Sequence, residues 1–328
     1  MKKYIIKLVL ISLIPILLVV AFDFWLRNQN SLYAEKYNGL IDKKDSVQVL
    51  ILGNSHANYA LDPSEFTHYF AYNLANVSQK IYFDKRLTLK AIENGISKLQ
   101  YVFISIDYHS LHTSTQGIRN YWSYYANGIK YKNDKYLLSN VSPFLWGYTP
   151  KVSIAMFRKK IINRIKYYNT NTINFDVENG VKLTDSINRG FIGFTGTDPS
   201  NFNPSWYETR AKSFDEPLHS EREEIIIDLE DFISKLIDQG IKPILISSPT
   251  YYEYNRYLNP SLLEKNENDI KLLCNKFELV YWNYMNDKQF QKRDFYNCDH
   301  LNKEGARKFS TILSNRLDKY SESLDSLK

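Results

Sequence analysis

The sequence predicts an α/β protein with a parallel sheet of about five strands covered by helices on both faces. Short apolar runs of strand length recur along the chain, and segments whose apolar residues follow helical spacing separate them. This alternation is typical of parallel strands joined by right-handed helical crossovers. Ligands of such sheets bind beyond the carboxyl ends of the strands, so we expect functional residues in the loops that follow the strands.

The composition narrows the class of protein. The chain has 328 residues, of which 44% are hydrophobic and 24% charged, and this excludes a disordered or fibrous chain. The net charge is +6 and the basic residues are scattered apart from one cluster, so nucleic-acid binding is not indicated. Aromatic residues reach 15%, which fits either sugar-stacking surfaces or the codon usage of an AT-rich genome. Cys274 and Cys298 are too few for a disulfide scaffold, and their pairing is left open.

Residues 1–27 predict an N-terminal membrane anchor. The stretch Tyr4–Leu26 has an uncharged core at Leu8–Phe22 and would span about 34 Å as a helix, enough for a bilayer core. The alternative is a cleaved signal peptide, since residues 19–21 are small enough for a cleavage site. The apolar stretch continues past that site, which favours an uncleaved anchor. The positive N-terminal flank predicts a cytoplasmic N-terminus and an extracytoplasmic remainder.

The elements of the soluble part follow in order. A polar stretch over 28–45 predicts a linker. The predicted strands are apolar runs that end near glycine or polar residues: Val47–Leu52, Ala71–Leu74, Tyr101–Ile106, Pro243–Ile246 and Leu279–Trp282. The predicted helices show helical spacing or a Pro start: one opening at Asp62–Pro63, then Lys80–Leu99, Ile225–Ile237, Asn259–Phe277 and Lys303–Leu317.

The alternation stops over about 110–218, which predicts an insertion after the third strand. Its notable residues are aromatic or basic: Trp122, Tyr124, Tyr125, Trp146, Tyr148 and the run Arg158–Lys166. The insertion is interpreted as the variable part of a substrate site. The alternative is a set of packing helices with a solvated basic face.

Two loops place a serine and a histidine at the same edge of the predicted sheet. Ser55 lies in the turn after the first strand, and His300 follows the last strand. A neutral imidazole within hydrogen-bond reach can take the proton of a serine hydroxyl and make it a nucleophile. The sequence therefore predicts a Ser55–His300 pair despite the distance along the chain.

Three short blocks around these loops resemble the SGNH (GDSL-like) hydrolases. The blocks are Gly53–His56, Asn73–Ser78, and Asp299–Asn302 with Gly305. Within that superfamily they resemble the membrane-anchored extracytoplasmic branch, which includes teichoic-acid D-alanyl transfer proteins and alginate acetylation proteins. The resemblance implies a flavodoxin-like three-layer sandwich over 46–328.

The resemblance also implies roles for individual residues. Ser55 is the expected nucleophile and His300 the expected base. Backbone N–H groups of Ser55 and Ser78 are expected to form the oxyanion hole, with Tyr108 or His109 donating where the family has an asparagine. The expected supporting residues around these groups are Asn54, His56, Asn73 and Asp299.

One departure concerns the third member of a catalytic triad. The family commonly has an aspartate three residues before the histidine, and this chain has Asn297 there. An amide can orient the imidazole ring but brings no negative charge, so the expectation is a Ser–His dyad with weaker base assistance. Asp294 and Asp299 are alternatives, although the side chain of Asp299, next to His300, is expected to point elsewhere.

A second constellation has the ligand types and spacing of a metal site. It consists of Asp107, His109 and His112 directly after the third strand. Helix or strand geometry must aim all three side chains together for a metal to bind, and the expectation is that no metal or cofactor is used.

The expected function is that of a membrane-anchored acyl esterase or O-acyltransferase, with acetyl as the expected acyl group, that acts on an envelope polysaccharide or glycolipid. The resemblance implies a polytopic membrane-bound O-acyltransferase as a partner. The alternatives are a non-catalytic scaffold or glycan-binding subunit, and D-alanyl transfer to teichoic acid.

Overall fold

The computed structural model describes residues 2–27, 32–112, 124, 128–129, 158, 188–214 and 219–326. The chain divides into two compact units, one of residues 1–35 and 117–184 and the other of residues 36–116 and 185–328. The sheet and the predicted Ser–His pair belong to the second unit. Most of the aromatic and basic residues singled out in the insertion lie outside the described residues.

The first helices are α1 (Lys2–Arg27) and α2 (Leu32–Ile41). None of the described helices combines the length and the hydropathy that a bilayer-spanning helix needs. The anchor over residues 1–27 stays a prediction. Helix α2 occupies most of the predicted 28–45 linker. It is held against the fold because Leu40 and Lys36 are buried, and the Lys36 ammonium donates to Asn58 Oδ1 at 2.7 Å.

The parallel sheet is confirmed. Its strands are β1 (Val49–Leu52), β2 (Ala71–Asn73), β3 (Tyr101–Ser105), β4 (Lys242–Ser247) and β5 (Tyr281–Asn283). They lie in the order β2-β1-β3-β4-β5, and every neighbouring pair is parallel. This is the doubly wound order in which the crevice between β1 and β3 is the topological switch point. The loops after β1 and β3 therefore frame the expected ligand site.

Helices lie between these strands and after the last of them. They are α3 (Ser55–Ala60), α4 (Ile81–Glu93), α5 (Pro204–Lys212), α6 (His219–Asp238), α7 (Tyr252–Asn255), α8 (Pro260–Phe277) and α9 (Lys303–Asp325). Helix α4 ends six residues before the predicted Leu99 because Gly95 takes a left-handed φ of +93°. The predicted helix at Asp62–Pro63 is a single 3₁₀ turn over Pro63–Glu65, capped by the Asp62 side chain.

Helices cover both faces of the sheet, as predicted. On one face, Ile51 and Phe103 pack with Phe309 and Leu313 of α9 in a single hydrophobic cluster. On the other face, residues such as Leu50 are also fully buried, α6 packs on β4 and α4 packs on α6. Burial on both faces explains why the strands are continuous apolar runs rather than alternating ones.

A short antiparallel hairpin after β5 was not predicted. It pairs β6 (Phe295–Asn297) with β7 (His300–Leu301), and Asn297 stands opposite His300. The first turn of α9 approaches the hairpin so closely that a Cβ on Gly305 would lie 2.0 Å from the Asp294 carbonyl oxygen. The glycine is therefore required by packing, and it fixes the hairpin against the rest of the fold.

Candidate active site

Ser55 is positioned by the turn between β1 and α3. Gly53 has a φ of +133°, and a Cβ there would lie 2.5 Å from Ser105 Cβ, so only glycine fits. Asn54 caps α3 by accepting the backbone N–H of His56 at 2.8 Å. Ser55 is thus the first residue of α3, at the carboxyl end of β1.

His300 meets Ser55 from the hairpin. Its Nε2 lies 2.8 Å from Ser55 Oγ, although 245 positions separate the two residues. The His300 ring is buried, at 7% exposed. The predicted juxtaposition is therefore present at hydrogen-bond distance, the geometry that proton transfer from a serine hydroxyl requires.

Asn297 contacts the other ring nitrogen of His300. Its Oδ1 lies 3.1 Å from His300 Nδ1 and also accepts the backbone N–H groups of His300 at 2.8 Å and of Asp299 at 3.2 Å. An acceptor at Nδ1 places the proton on that nitrogen and leaves Nε2 free to accept from Ser55. The amide thus holds the ring orientation and closes the hairpin.

The prediction that the Asp299 side chain points away from His300 is wrong. Asp299 Oδ1 lies 3.0 Å from His300 Nδ1, within ion-pair distance, although this oxygen makes no hydrogen bond. The reason is the hairpin, since only Cys298 and Asp299 connect the paired residues Asn297 and His300 and the chain turns back there. The negative charge that Asn297 does not supply is therefore present beside the imidazole.

Asp294, the other alternative carboxylate, has different partners. Its Oδ2 accepts the backbone N–H of Gln291 at 2.8 Å and lies 3.2 Å from Lys308 Nζ. It stabilises the 3₁₀ turn before the hairpin and belongs to the scaffold of the site.

Arg210 of α5 is the partner of Asp299 that sequence reasoning missed. Its Nε donates to Asp299 Oδ2 at 2.7 Å. Burial would raise the pKa of Asp299, but the charges of His300 and Arg210 hold it well below its usual range. Burial lowers the pKa of His300, while Asp299 opposes that shift. The site at neutral pH therefore holds an ionised Asp299 and a neutral His300.

We expect Asn297→Asp to leave the turnover of p-nitrophenyl acetate within about threefold of wild type, because Asp299 already supplies a charge and two facing carboxylates repel each other. The added charge raises the pKa of His300, so the acid limb of the pH profile moves to higher pH. Turnover measured against pH checks both statements. A gain of about 100-fold would mean that the Asp299 charge does not reach the imidazole. A loss of acyl transfer with hydrolysis intact would mean that Asn297 contacts the acceptor.

Ser78, Tyr108 and His109, which were expected to help form the oxyanion hole, lie in different surroundings. Ser78 has a φ of +59°, the left-handed conformation that favours glycine. The Tyr108 hydroxyl accepts the Asn259 N–H at 3.1 Å, and its carbonyl accepts from Asn266 at 2.7 Å. These contacts give Tyr108 a role in joining the loop after β3 to α8. His109 reaches the site through Asn54, whose Nδ2 donates to its Nε2 at 3.2 Å.

Asn73 supports the nucleophile's helix rather than the reacting groups. Its Nδ2 donates to the carbonyls of Ala57 at 3.0 Å and Leu61 at 2.8 Å, and its Oδ1 accepts the N–H of Ala75. These bonds fasten α3 to the end of β2. The supporting role expected of Asn73 therefore lies in the position of α3.

Asp107, His109 and His112, whose spacing resembles that of a metal site, have separate partners in the structure. Asp107 accepts from Ser105 Oγ at 2.9 Å, His109 Nε2 accepts from Asn54, and His112 Nε2 lies 2.7 Å from the Phe214 carbonyl oxygen. A different cluster, His56, Asp299 and His300, brings potential ligand atoms within 4.8 Å of one another. The carboxylate of this cluster, Asp299, is already paired with the Arg210 guanidinium. We therefore interpret the cluster as an ionic network.

Asp84 is a second residue that the sequence did not reveal. It is 1% exposed, and its Oδ1 accepts the N–H of Gly53 at 3.2 Å and the Gln79 amide at 2.6 Å. Burial raises its pKa to about 7. Its place in α4 carries no motif, so only the folded structure shows that it supports the turn before Ser55.

The comparisons with known proteins leave the site to be interpreted from its geometry. No family model matches the chain, and no curated protein matches it.

Proposed function

We propose that the protein is a serine acyl esterase or O-acyltransferase of the SGNH type that acts on an envelope polysaccharide or glycolipid. The observation that carries the proposal is the 2.8 Å contact between Ser55 Oγ and His300 Nε2, with Asn297 and Asp299 at the opposite nitrogen of the ring. A serine, a histidine and an orienting acidic group in this relation are the arrangement of nucleophilic acyl transfer.

The geometry supports a two-step acyl transfer. Ser55 Oγ attacks an ester carbonyl while its proton moves to His300 Nε2, and the imidazolium is stabilised by Asp299. The tetrahedral intermediate then expels an alcohol, which takes the proton from Nε2, and leaves an acyl-Ser55 enzyme. A sugar hydroxyl or water repeats the attack with His300 as base and releases Ser55. Backbone N–H groups of Ser55 and Ser78 stabilise the oxyanion, each contributing roughly 3 to 4 kcal/mol.

Aromatic side chains beside His300 support a carbohydrate substrate. Phe194 lies between two tyrosines with ring centroids 4.0 Å away: it stacks on Tyr296 and is tilted by 36° against Tyr59. Tyr59 also meets the edge of the His300 ring at 5.5 Å. A rigid aromatic wall next to the base offers the apolar contact area that orients a bound acceptor.

The proposed site of action is the outer face of the membrane. Residues 1–27 anchor the chain with its N-terminus in the cytoplasm, and a polytopic membrane-bound O-acyltransferase supplies the acyl group. We expect full-length protein to stay with membranes during carbonate extraction, whereas a chain beginning at residue 28 is released. N-terminal sequencing of mature protein that begins at Phe22 would contradict the anchor and identify a cleaved signal peptide.

The activity is tested first by trapping the nucleophile. We expect a fluorophosphonate probe to label full-length protein at a single serine, Ser55, because only a hydroxyl beside a neutral imidazole reacts readily. Peptide mass spectrometry identifies the labelled residue. Ser55→Ala should abolish labelling. Ser64→Ala, which changes an exposed serine in a 3₁₀ turn, should not change it. Labelling that is absent in wild type, with glycan modification in cells unaffected by Ser55→Ala, would favour the scaffold alternative.

The identity of the acyl group is a separate measurement. Mass spectrometry of the acyl-Ser55 peptide from acid-quenched protein, purified with its membranes, distinguishes an acetyl from a D-alanyl adduct. An acetyl adduct supports the leading proposal, whereas a D-alanyl adduct identifies teichoic-acid modification.

A further inference from the structure

A second histidine lies buried directly behind the Ser–His pair. His56 Nδ1 is 3.4 Å from Asp107 Oδ1, and His56 Nε2 is 3.5 Å from Asp299 Oδ2. The three side chains are 4%, 3% and 0% exposed. The imidazole therefore spans two carboxylates in a buried site.

The position of His56 between two carboxylates favours its doubly protonated form. A neutral imidazole has one N–H, so its second nitrogen would present a lone pair to a carboxylate. An imidazolium has an N–H on both nitrogens and faces both carboxylates favourably. Isolated buried carboxylates are also costly, and a cation between them offsets that cost.

The charges around His56 come from several elements. Asp107 follows β3, and Asp299 and His300 belong to the hairpin. Within the described part of the chain, other titratable or charged groups near this cluster include His109, Asp84, Arg210, Tyr108 and Tyr254. Although burial disfavours the cation, Asp107 and Asp299 raise the pKa of His56 to about 9. His109, in contrast, is kept neutral because burial holds its pKa well below its usual range.

The charge of His56 acts on His300. The two rings meet edge to face with centroids 4.9 Å apart, and His56 shares Asp299 with His300 and Arg210. A fixed cation at this distance disfavours a second proton on His300 in the resting state. Without it, the full charge of Asp299 would draw a proton onto His300 and occupy the nitrogen that must accept from Ser55.

We propose that His56 is a positioning residue, a buried imidazolium clamped between Asp107 and Asp299 that keeps His300 neutral and Asp299 in place at neutral pH. This inference rests on the proposed acyl-transfer function. The charge state of His56 is nevertheless a property of the folded protein and is measurable without any activity.

The first measurement is ¹⁵N NMR of full-length protein labelled at histidine. At pH 7.5 we expect one ring with both nitrogens protonated, and this signal should disappear in His56→Gln. In that variant the His300 signals should titrate at a pH about one to two units higher, the shift expected for removal of a charge at this distance. A spectrum with only neutral rings in the buried set, or an unshifted His300 in folded His56→Gln, would overturn the proposal.

The second measurement links His56 to reactivity. The rate of fluorophosphonate labelling at Ser55 should show an acid limb that moves up by the same one to two units in His56→Gln, about a tenfold or greater loss below neutral pH. His68→Gln is the matched control, because His68 is 72% exposed and pairs with Asp318, and it should not move the limb. If His56→Gln does not fold, Asp107→Asn tests the same clamp: the doubly protonated His56 signal should be lost at a lower pH than in wild type, because one of its two carboxylates is gone. Wild type that does not label refutes the proposed function, while the NMR result still decides the charge of His56.

Discussion

Replacing Ser55 with alanine is expected to lower the turnover of an acyl ester by about 10⁴-fold or more, and His300→Ala should have an effect of similar size. Ser55 provides the oxygen that lies 2.8 Å from His300 Nε2, so its loss removes the acyl-enzyme route. His300→Ala leaves the hydroxyl without a base at neutral pH. Members of a catalytic pair act as a unit, and each single loss costs nearly as much as the double.

The double variant is therefore the sharper test. Turnover of p-nitrophenyl acetate by Ser55→Ala/His300→Ala should equal that of either single variant, within about threefold. Additive losses would mean that the two residues contribute to separate steps. Ser64→Ala and His68→Gln serve as matched controls, since both residues lie outside the site, and each should keep wild-type turnover. Circular dichroism of every variant separates lost chemistry from lost fold.

The sheet and the Ser–His pair were predictable because they follow from two regular properties of the chain. Residues buried on both faces form continuous apolar runs, so β1 and β3 stand out, with bounds that differ by one or two residues. Parallel strands bring their carboxyl ends to one edge, so Ser55 and His300 were expected on the same side of the sheet. Neither inference needed side-chain detail.

The charge network was not predictable for an equally physical reason. Whether Asp299 faces His300 depends on the two-residue connection of a hairpin with short strands and a register shift, which leaves little sequence pattern. Its partner Arg210 lies 89 positions earlier on α5, within the predicted insertion, and a single arginine in a helix carries no signal. Asp107 was visible, but its spacing to His109 and His112 suggested a metal site, whereas it faces His56.

The second large effect is expected at Asp299. Asp299→Asn should lower turnover by about 10² to 10⁴-fold, because the imidazolium that forms on His300 loses its carboxylate. It should also lower the free energy of unfolding by about 3 to 5 kcal/mol, since Arg210 and the His56 clamp lose their shared counter-charge inside the protein. Chemical denaturation measures the change in the free energy of unfolding. The turnover of p-nitrophenyl acetate measures the change in catalysis, under conditions in which the variant is folded.

Asp294→Asn is the matched control for this prediction, because Asp294 is the other nearby acidic residue and bonds Gln291 and Lys308 instead. It should keep turnover within about threefold of wild type, since its charge lies outside the His300 contacts. Arg210→Gln separates the two roles of Asp299. It removes the counter-charge but leaves the carboxylate 3.0 Å from Nδ1, so stability should fall more than turnover does. If instead Asp299→Asn kept full turnover and Asn297→Ala lost it, orientation by the amide alone would account for the base, and the chain would work as a Ser–His dyad without carboxylate assistance.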